Sequence, residues 1–173
     1  MDDRTRWNEK YRAGQGPDRL NARLQKYMHL LKPGRALDLA SGIGQNSTVL
    51  AENGWDVILC DIADEALARA PAHLRRVQVD ALALPFPPNT FDTIISTYFY
   101  EPRVDYAALL ALGGTLFLET YTVADISYRP DFNKAYRLDP AEIHNFAREL
   151  QIVLFEETDD GHRVFGTLIA SKP

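Results

Sequence analysis

Three aspartates stand in or directly after candidate strands: Asp38 within the apolar residues 36–40, Asp61 after the apolar residues 57–60, and Asp80 after residues 74–79, of which Leu74, Val77 and Val79 are apolar. An ionised carboxylate offers two acceptor oxygens and no donor, so this set suits a ligand rich in hydroxyl, amine and ammonium groups. Just beyond Asp38, Gly42 and Gly44 permit a tight turn and let a ligand approach the backbone closely. A fourth apolar run ends on Ser96 and Thr97. Aspartates are also ordinary turn formers. The repetition of an acid after an apolar run, more than any single acid, is what points to a shared cleft.

The elements that must position these residues follow from the apolar pattern. Residues 36–40 have the length and composition of a parallel strand buried on both faces. After the glycine turn comes a short helix that stops at Asn53-Gly54. Strands are expected over residues 55–60, 74–79, 91–96 and 115–120, with helices over 18–31, 63–70 and 106–112. Asp139-Pro140 supplies a cap and a first-turn proline for a late helix. A hairpin over 151–157 and 162–170, turning at 158–161, ends the chain. Alternating strands and helices predict an α/β domain with a mostly parallel sheet, whose ligand crevice lies outside the carboxyl ends of the strands. Near the start, Trp7 and Tyr11 are four apart and share one side if the segment is helical. They either close the cleft from an N-terminal arm or simply staple that arm to the body.

With 173 residues the chain is expected to form one domain. Residues 1–31 would be an N-terminal arm and helix, 35–120 the binding core, and 121–173 an acceptor-side segment with the hairpin. There are 19 basic and 24 acidic residues, a net charge of -5, which argues against nucleic acid or an anionic membrane surface as partner and for a small molecule. No apolar run reaches a membrane span and the N-terminus lacks the order of a signal peptide, so a soluble, cytoplasmic protein is expected. The single cysteine, Cys60, reads as a small buried hydrophobe. His29, His73, His144 and His162 are scattered, so no metal site is expected.

Ala36-Leu37-Asp38-Leu39-Ala40-Ser41-Gly42-Ile43-Gly44 resembles the first motif of the class I methyltransferases that use S-adenosylmethionine, and Asp61 falls where their ribose-binding acid sits. Residues 80–86 with 91–96 are similar to their third and fourth motifs, and Gly113-Gly114 with residues 115–121 to their fifth-strand segment, without the proline that often precedes the glycines. Residues 7–12 and the final hairpin are most similar to small bacterial enzymes of the tellurite-resistance and thiopurine methyltransferase type. The resemblance implies a Rossmann-like seven-stranded sheet in the order 3-2-1-4-5-7-6, with one antiparallel strand and helices on both faces. It implies S-adenosyl-L-methionine as cofactor and methyl transfer to a small-molecule acceptor. Asp38 would face the methionine ammonium, Ala40 and the backbone of Gly42 to Gly44 would pass its carboxypropyl chain, and Asp61 would accept both ribose hydroxyls. Ile62 would pack on the adenine, Asp80 and the Ala81 N–H would meet its polar edge, Ser96 and Thr97 would border the methionine end, and Trp7 and Tyr11 would close the cleft.

Gly42-Ile43-Gly44-Gln45-Asn46-Ser47 also approaches a dinucleotide-binding pattern, but Ser47 replaces the third glycine. Asp38 would also put negative charge where a pyrophosphate needs positive. A nicotinamide enzyme is therefore the weaker reading, and a cofactor-binding sensor without catalysis is a further alternative. Acceptor-side candidates are Tyr98, Arg103 and Tyr121, with Tyr128, Arg129, Phe132, Tyr136 and Arg137 behind them. No catalytic base stands out.

Overall fold

The computed structural model describes residues 2–173. Its strands are β1 (Arg35–Leu39), β2 (Asp56–Asp61), β3 (Arg75–Gln78), β4 (Phe91–Thr97), β5 (Leu110–Tyr121), β6 (Gln151–Asp159) and β7 (Val164–Ser171). They form one sheet in the order β3-β2-β1-β4-β5-β7-β6. The pairs among β1 to β5 are parallel, while β7 runs antiparallel to both β5 and β6. This is the order that the resemblance to class I methyltransferases implies.

The central strands alternate residues between two apolar faces, as a period of two requires. Ile95, Phe117 and Ile169 pack on one face with Leu24 and Tyr27 of helix α2 (Ala22–Tyr27) and Leu50 of α3 (Gln45–Glu52). Their neighbours Ile94, Leu116, Leu118 and Leu168 turn to the other face. There they meet Tyr106 and Leu109 of α5 (Tyr106–Leu109) and Ile143 of α6 (Ile143–Phe146). Both faces carry helices, but those on the second are single turns. Two further helices, α1 (Asp3–Arg12) and α4 (Asp64–Leu67), lie against one another near the end of β2.

Several element lengths differ from expectation, each for a local reason. The helix expected over 18–31 begins only at Ala22, after Asn21, whose side chain caps it by accepting from the Leu24 N–H, and it tightens into a 3₁₀ turn at Met28–Leu30. The helix expected over 63–70 contracts to α4. The one expected over 106–112 stops at Leu109, because Leu110 already pairs with Phe91 in the sheet. Between that pair and the next, Thr93 with Thr115, the register shifts. Gly114 permits the fold-back: a Cβ there would lie 2.8 Å from the Ala111 carbonyl oxygen and 3.1 Å from that of Phe91. The late helix is a 3₁₀ turn at Pro140–Glu142 leading into α6.

Candidate functional site

The carboxyl ends of β1, β2 and β4 meet the glycine turn at one place. Asp38 is wholly buried on β1, and its Oδ2 accepts from the Ser47 hydroxyl at 2.6 Å. Its Oδ1 is buried with no hydrogen-bond partner. Burial pushes the Asp38 carboxyl up to about 7, against the lowering effect of Ser47 and with a further raising contribution from Asp61. Asp61 closes β2, where Oδ2 accepts from the Gly42 N–H at 2.9 Å and Oδ1 from the Ala63 N–H at 2.8 Å. Burial raises its pKa, while these backbone hydrogen bonds pull the other way. Both acids are thus held in place by the chain around them, and Asp38 Oδ1 remains without a hydrogen-bond partner.

The backbone is held in the left-handed region at both strand ends. Ala40 after β1 has φ +56° and Tyr98 after β4 has φ +59°, conformations that cost a side-chain-bearing residue about 1–2 kcal/mol. Such strain clusters where a surface must be shaped for a ligand, and both residues line the cleft. Gly42 has φ +57°, and a Cβ on it would lie 2.6 Å from the Tyr11 hydroxyl oxygen.

Helix α1 lies over this turn. Asn8 clamps it to α4, donating to Asp64 Oδ1 at 2.7 Å and accepting from the Glu65 N–H at 3.1 Å, and Arg12 pairs with Glu65 at 2.7 Å. Trp7 and Tyr11 face the same way, with ring centroids 6.2 Å apart, and both line the cleft. The Tyr11 phenol is pushed upward by burial and by the Asp61 and Asp38 charges.

The resulting cleft has a volume of about 190 Å³. Its walls include Trp7, Tyr11, Ala40, Asp61, Ile62, Asp80, Ala81, Thr97, Tyr98 and Arg103, so ten residues expected from the sequence come together there. A small annex of about 30 Å³ adds Gly42, Asn46 and Arg19 and shares Tyr11, Ala40, Thr97 and Tyr98 with the main cleft. Asp80 is exposed and its Oδ1 accepts from the Leu82 N–H at 2.9 Å. Cys60 borders the cleft as a buried thiol pushed up to about 12 by burial, which leaves it unreactive.

Four expected residues are placed otherwise. Asp38 lies behind the wall, fully buried. Ser96 is also buried and turns its hydroxyl to the Phe99 carbonyl at 3.1 Å, because strand alternation gives the cleft to Thr97 and not to its neighbour. Gly44 faces packing: a Cβ there would meet Leu59, Ala70 and Pro71. Tyr121 sits outside, in an aromatic cluster that meets the cleft at Tyr98, 6.3 Å away between centroids. Behind it the Arg129 guanidinium stacks 3.8 Å from the Tyr121 ring centre and pairs with buried Asp125 at 2.7 Å. Tyr128 donates to Asp159 at 2.9 Å, and Arg137 is buried with its guanidinium on the Arg129 carbonyl. Arg103 does face the cleft, but Glu101 grips it through two hydrogen bonds, of 2.9 and 2.8 Å. Additions to the expected set include Pro17, Leu82, Phe99 and Glu101 in the cleft and Arg19 and Asn46 in the annex.

The sheet order and the cleft define the fold of the class I S-adenosylmethionine-dependent methyltransferases. A putative S-adenosylmethionine dependent methyltransferase from Listeria monocytogenes superimposes with a TM-score of 0.72 at 13% identity, over 86% of this chain and 96% of that one. TehB from Haemophilus influenzae gives a TM-score of 0.73 at 19% identity, over 96% of this chain and 67% of that one. Residues 37–111 match the family model described as a methyltransferase domain. A demethylmenaquinone methyltransferase from Thermus thermophilus is 38% identical over 87 residues, which is 45% of this chain and 40% of that protein. The match therefore spans about two fifths of the relative's length.

Proposed function

We propose that the chain is a single-domain methyltransferase that moves the methyl group of S-adenosylmethionine to a small-molecule acceptor. The observation that carries this reading is the unpartnered, buried Asp38 Oδ1 behind the glycine turn, with Asp61 and Asp80 on the neighbouring strand ends. Burial leaves the Asp38 carboxyl titrating at about 7, so a cation that reaches it, directly or through water, favours its ionised form, and an amino-acid ammonium is the cation the cofactor brings. Asp61 still has free lone pairs for two ribose hydroxyls once its backbone contacts are counted. Ile62 and Leu82 give the adenine apolar cover, with Asp80 and the Ala81 N–H at its edge. Arg19, beside Gly42 in the annex, suits the carboxylate.

When bound, S-adenosylmethionine supplies a methyl group already activated on a sulfonium, so the protein chiefly has to hold the acceptor in line. Trp7 and Tyr11 keep water from the cleft, and Tyr98 and Phe99 offer flat apolar walls to the acceptor. Beside those walls neither Tyr98 nor Glu101 makes a good base. Burial raises the Tyr98 phenol, and the Arg103 partnership holds Glu101 below the usual carboxylate range. The site therefore favours acceptors that arrive already nucleophilic, such as thiolates, ionised phenols or neutral amines. The name of the Thermus relative fits a planar, apolar acceptor of this kind.

The short α5, only four residues long, supports a second reading in which the chain binds the cofactor as a sensor without turning it over. A panel of thiols, phenols, amines and quinols incubated with methyl-labelled S-adenosylmethionine separates the two. Label transfer with equal formation of S-adenosylhomocysteine supports catalysis; binding without transfer to any acceptor class supports the sensor.

A further inference from the structure

Glu119 lies at the carboxyl end of β5 with no exposed surface, and the methyl-transfer reading assigns it nothing. Its Oε1 accepts from Asn21 Nδ2 at 2.7 Å and its Oε2 from Thr167 Oγ1 at 3.0 Å, while the Arg23 guanidinium stands 3.6 Å away. A carboxylate only accepts, so it dictates which end of the Asn21 amide faces it. The other end, Asn21 Oδ1, accepts from the Leu24 N–H at 2.9 Å and caps α2. With its side chain fixed at both ends, Asn21 presents its backbone N–H to Asn46 Oδ1 at 3.0 Å. The Asn46 oxygen is thereby occupied, and its Nδ2 donates to Thr97 Oγ1 at 2.9 Å. Thr97 accepts here, so its own hydroxyl proton is left to point elsewhere. Thr97 lines both the cleft and the annex that holds Gly42 and Arg19.

We propose that Thr97 is a hydrogen-bond donor to the carboxylate end of the bound cofactor, and that Glu119 is the positioning residue that holds it ready through Asn21 and Asn46. The proposal rests on the cofactor reading above. Every amide in the relay is satisfied in one orientation only, which is the condition under which a buried polar network fixes geometry. Glu119 touches neither cofactor nor acceptor; it acts through residues contributed by α2, α3 and β4.

The test measures S-adenosylhomocysteine affinity calorimetrically in the full chain, with no acceptor present. Thr97→Val should weaken binding about tenfold while Thr97→Ser binds nearly as the wild type does. Glu119→Ala should also weaken it about tenfold, whereas Glu119→Gln, whose amide can still accept from Asn21 and donate to Thr167, should remain near wild type. Because both changes act on one contact, the double variant Glu119→Ala/Thr97→Val should lose only about tenfold, not about a hundredfold. Should Glu119→Ala fail to fold, Asn46→Ala severs the relay closer to the surface and takes its place in the cycle. An unchanged affinity in Thr97→Val, multiplying losses in the double variant, or Glu119→Gln as damaging as Glu119→Ala would overturn the relay. A wild-type chain that does not bind S-adenosylhomocysteine overturns the cofactor reading and the relay with it; a wild type that binds leaves the cycle to judge the relay alone.

Discussion

Ser47 donates its hydroxyl to one oxygen of Asp38 at 2.6 Å, and the second oxygen is buried with nothing to meet it. The serine occupies the place where a dinucleotide-binding turn would carry its third glycine. It does two things there: it holds the carboxylate in one orientation, and it satisfies half of it. The half left over sits behind the cleft wall, while Asp61 and Asp80 line the cleft in front of it.

That arrangement makes both stability and affinity depend on pH. Asp38 ionises near its ordinary 3.8 in the unfolded chain and at about 7 when folded, so between those values the folded state holds a proton that the unfolded state has lost. Its contribution to stability therefore falls as pH rises from 3.8 to about 7 and is flat above. Thermal unfolding of the ligand-free protein across this window should show the decline, and Asp38→Asn should reduce it. Ligand ammonium favours the ionised form, so S-adenosylhomocysteine affinity should rise through the same window, with proton release on binding. Equal affinity on both sides of the window would remove the ammonium from Asp38.

Asp61→Ala should lower S-adenosylhomocysteine affinity by more than about tenfold, because hydrogen bonds to a charged group are worth about 1.5–3 kcal/mol. It should also lower stability by about 1–3 kcal/mol, since the Gly42 and Ala63 N–H groups lose their acceptor. Titration calorimetry and chemical denaturation read the two effects separately. Lost stability with unchanged affinity would make Asp61 a turn-holding residue alone.

Gly42→Ala meets two obstacles, a backbone in the left-handed region and a new Cβ 2.6 Å from the Tyr11 hydroxyl oxygen. The variant should be destabilised by about 1–2 kcal/mol from the backbone alone, and more from the collision. Tyr11→Phe in the same chain should recover only the second part, because the next ring atom, Cζ, would be 3.6 Å away. A denaturation series on the four proteins measures this.

Asn8→Ala removes the two hydrogen bonds that Asn8 makes to α4 and leaves the Arg4–Asp64 pair at 3.3 Å and the Arg12–Glu65 pair at 2.7 Å in place. Amide hydrogen exchange over residues 3–12 should speed up while the β1 and β4 amides keep their protection. Unchanged exchange in α1 would mean that the Arg4 and Arg12 ion pairs hold the arm by themselves.

Much of this site was legible because its signals are local. An apolar run followed by an acid or a glycine turn is a strand end whatever the rest of the chain does, so Asp61, Asp80, Ala40 and Gly42 could be read directly. Ser96 and Thr97 show the limit: one strand step exchanges inside for cleft, and composition does not say which residue takes which side. Gly113-Gly114 read as a break, yet it is a register shift inside β5, because only the backbone of β4 reveals how closely the two strands pass. Arg19 and Glu119 carry no pattern of their own. Asn21 and Glu119 are 98 residues apart, and only the completed sheet brings them together.

The most direct test is a calorimetric titration of the wild-type chain with S-adenosylhomocysteine beside one with reduced nicotinamide dinucleotide. Saturable binding of S-adenosylhomocysteine at one site per chain is expected, stronger at a pH of about 8 than of about 6, with no binding of the dinucleotide. Binding of the dinucleotide alone, or no S-adenosylhomocysteine binding at concentrations on the order of millimolar, would contradict it.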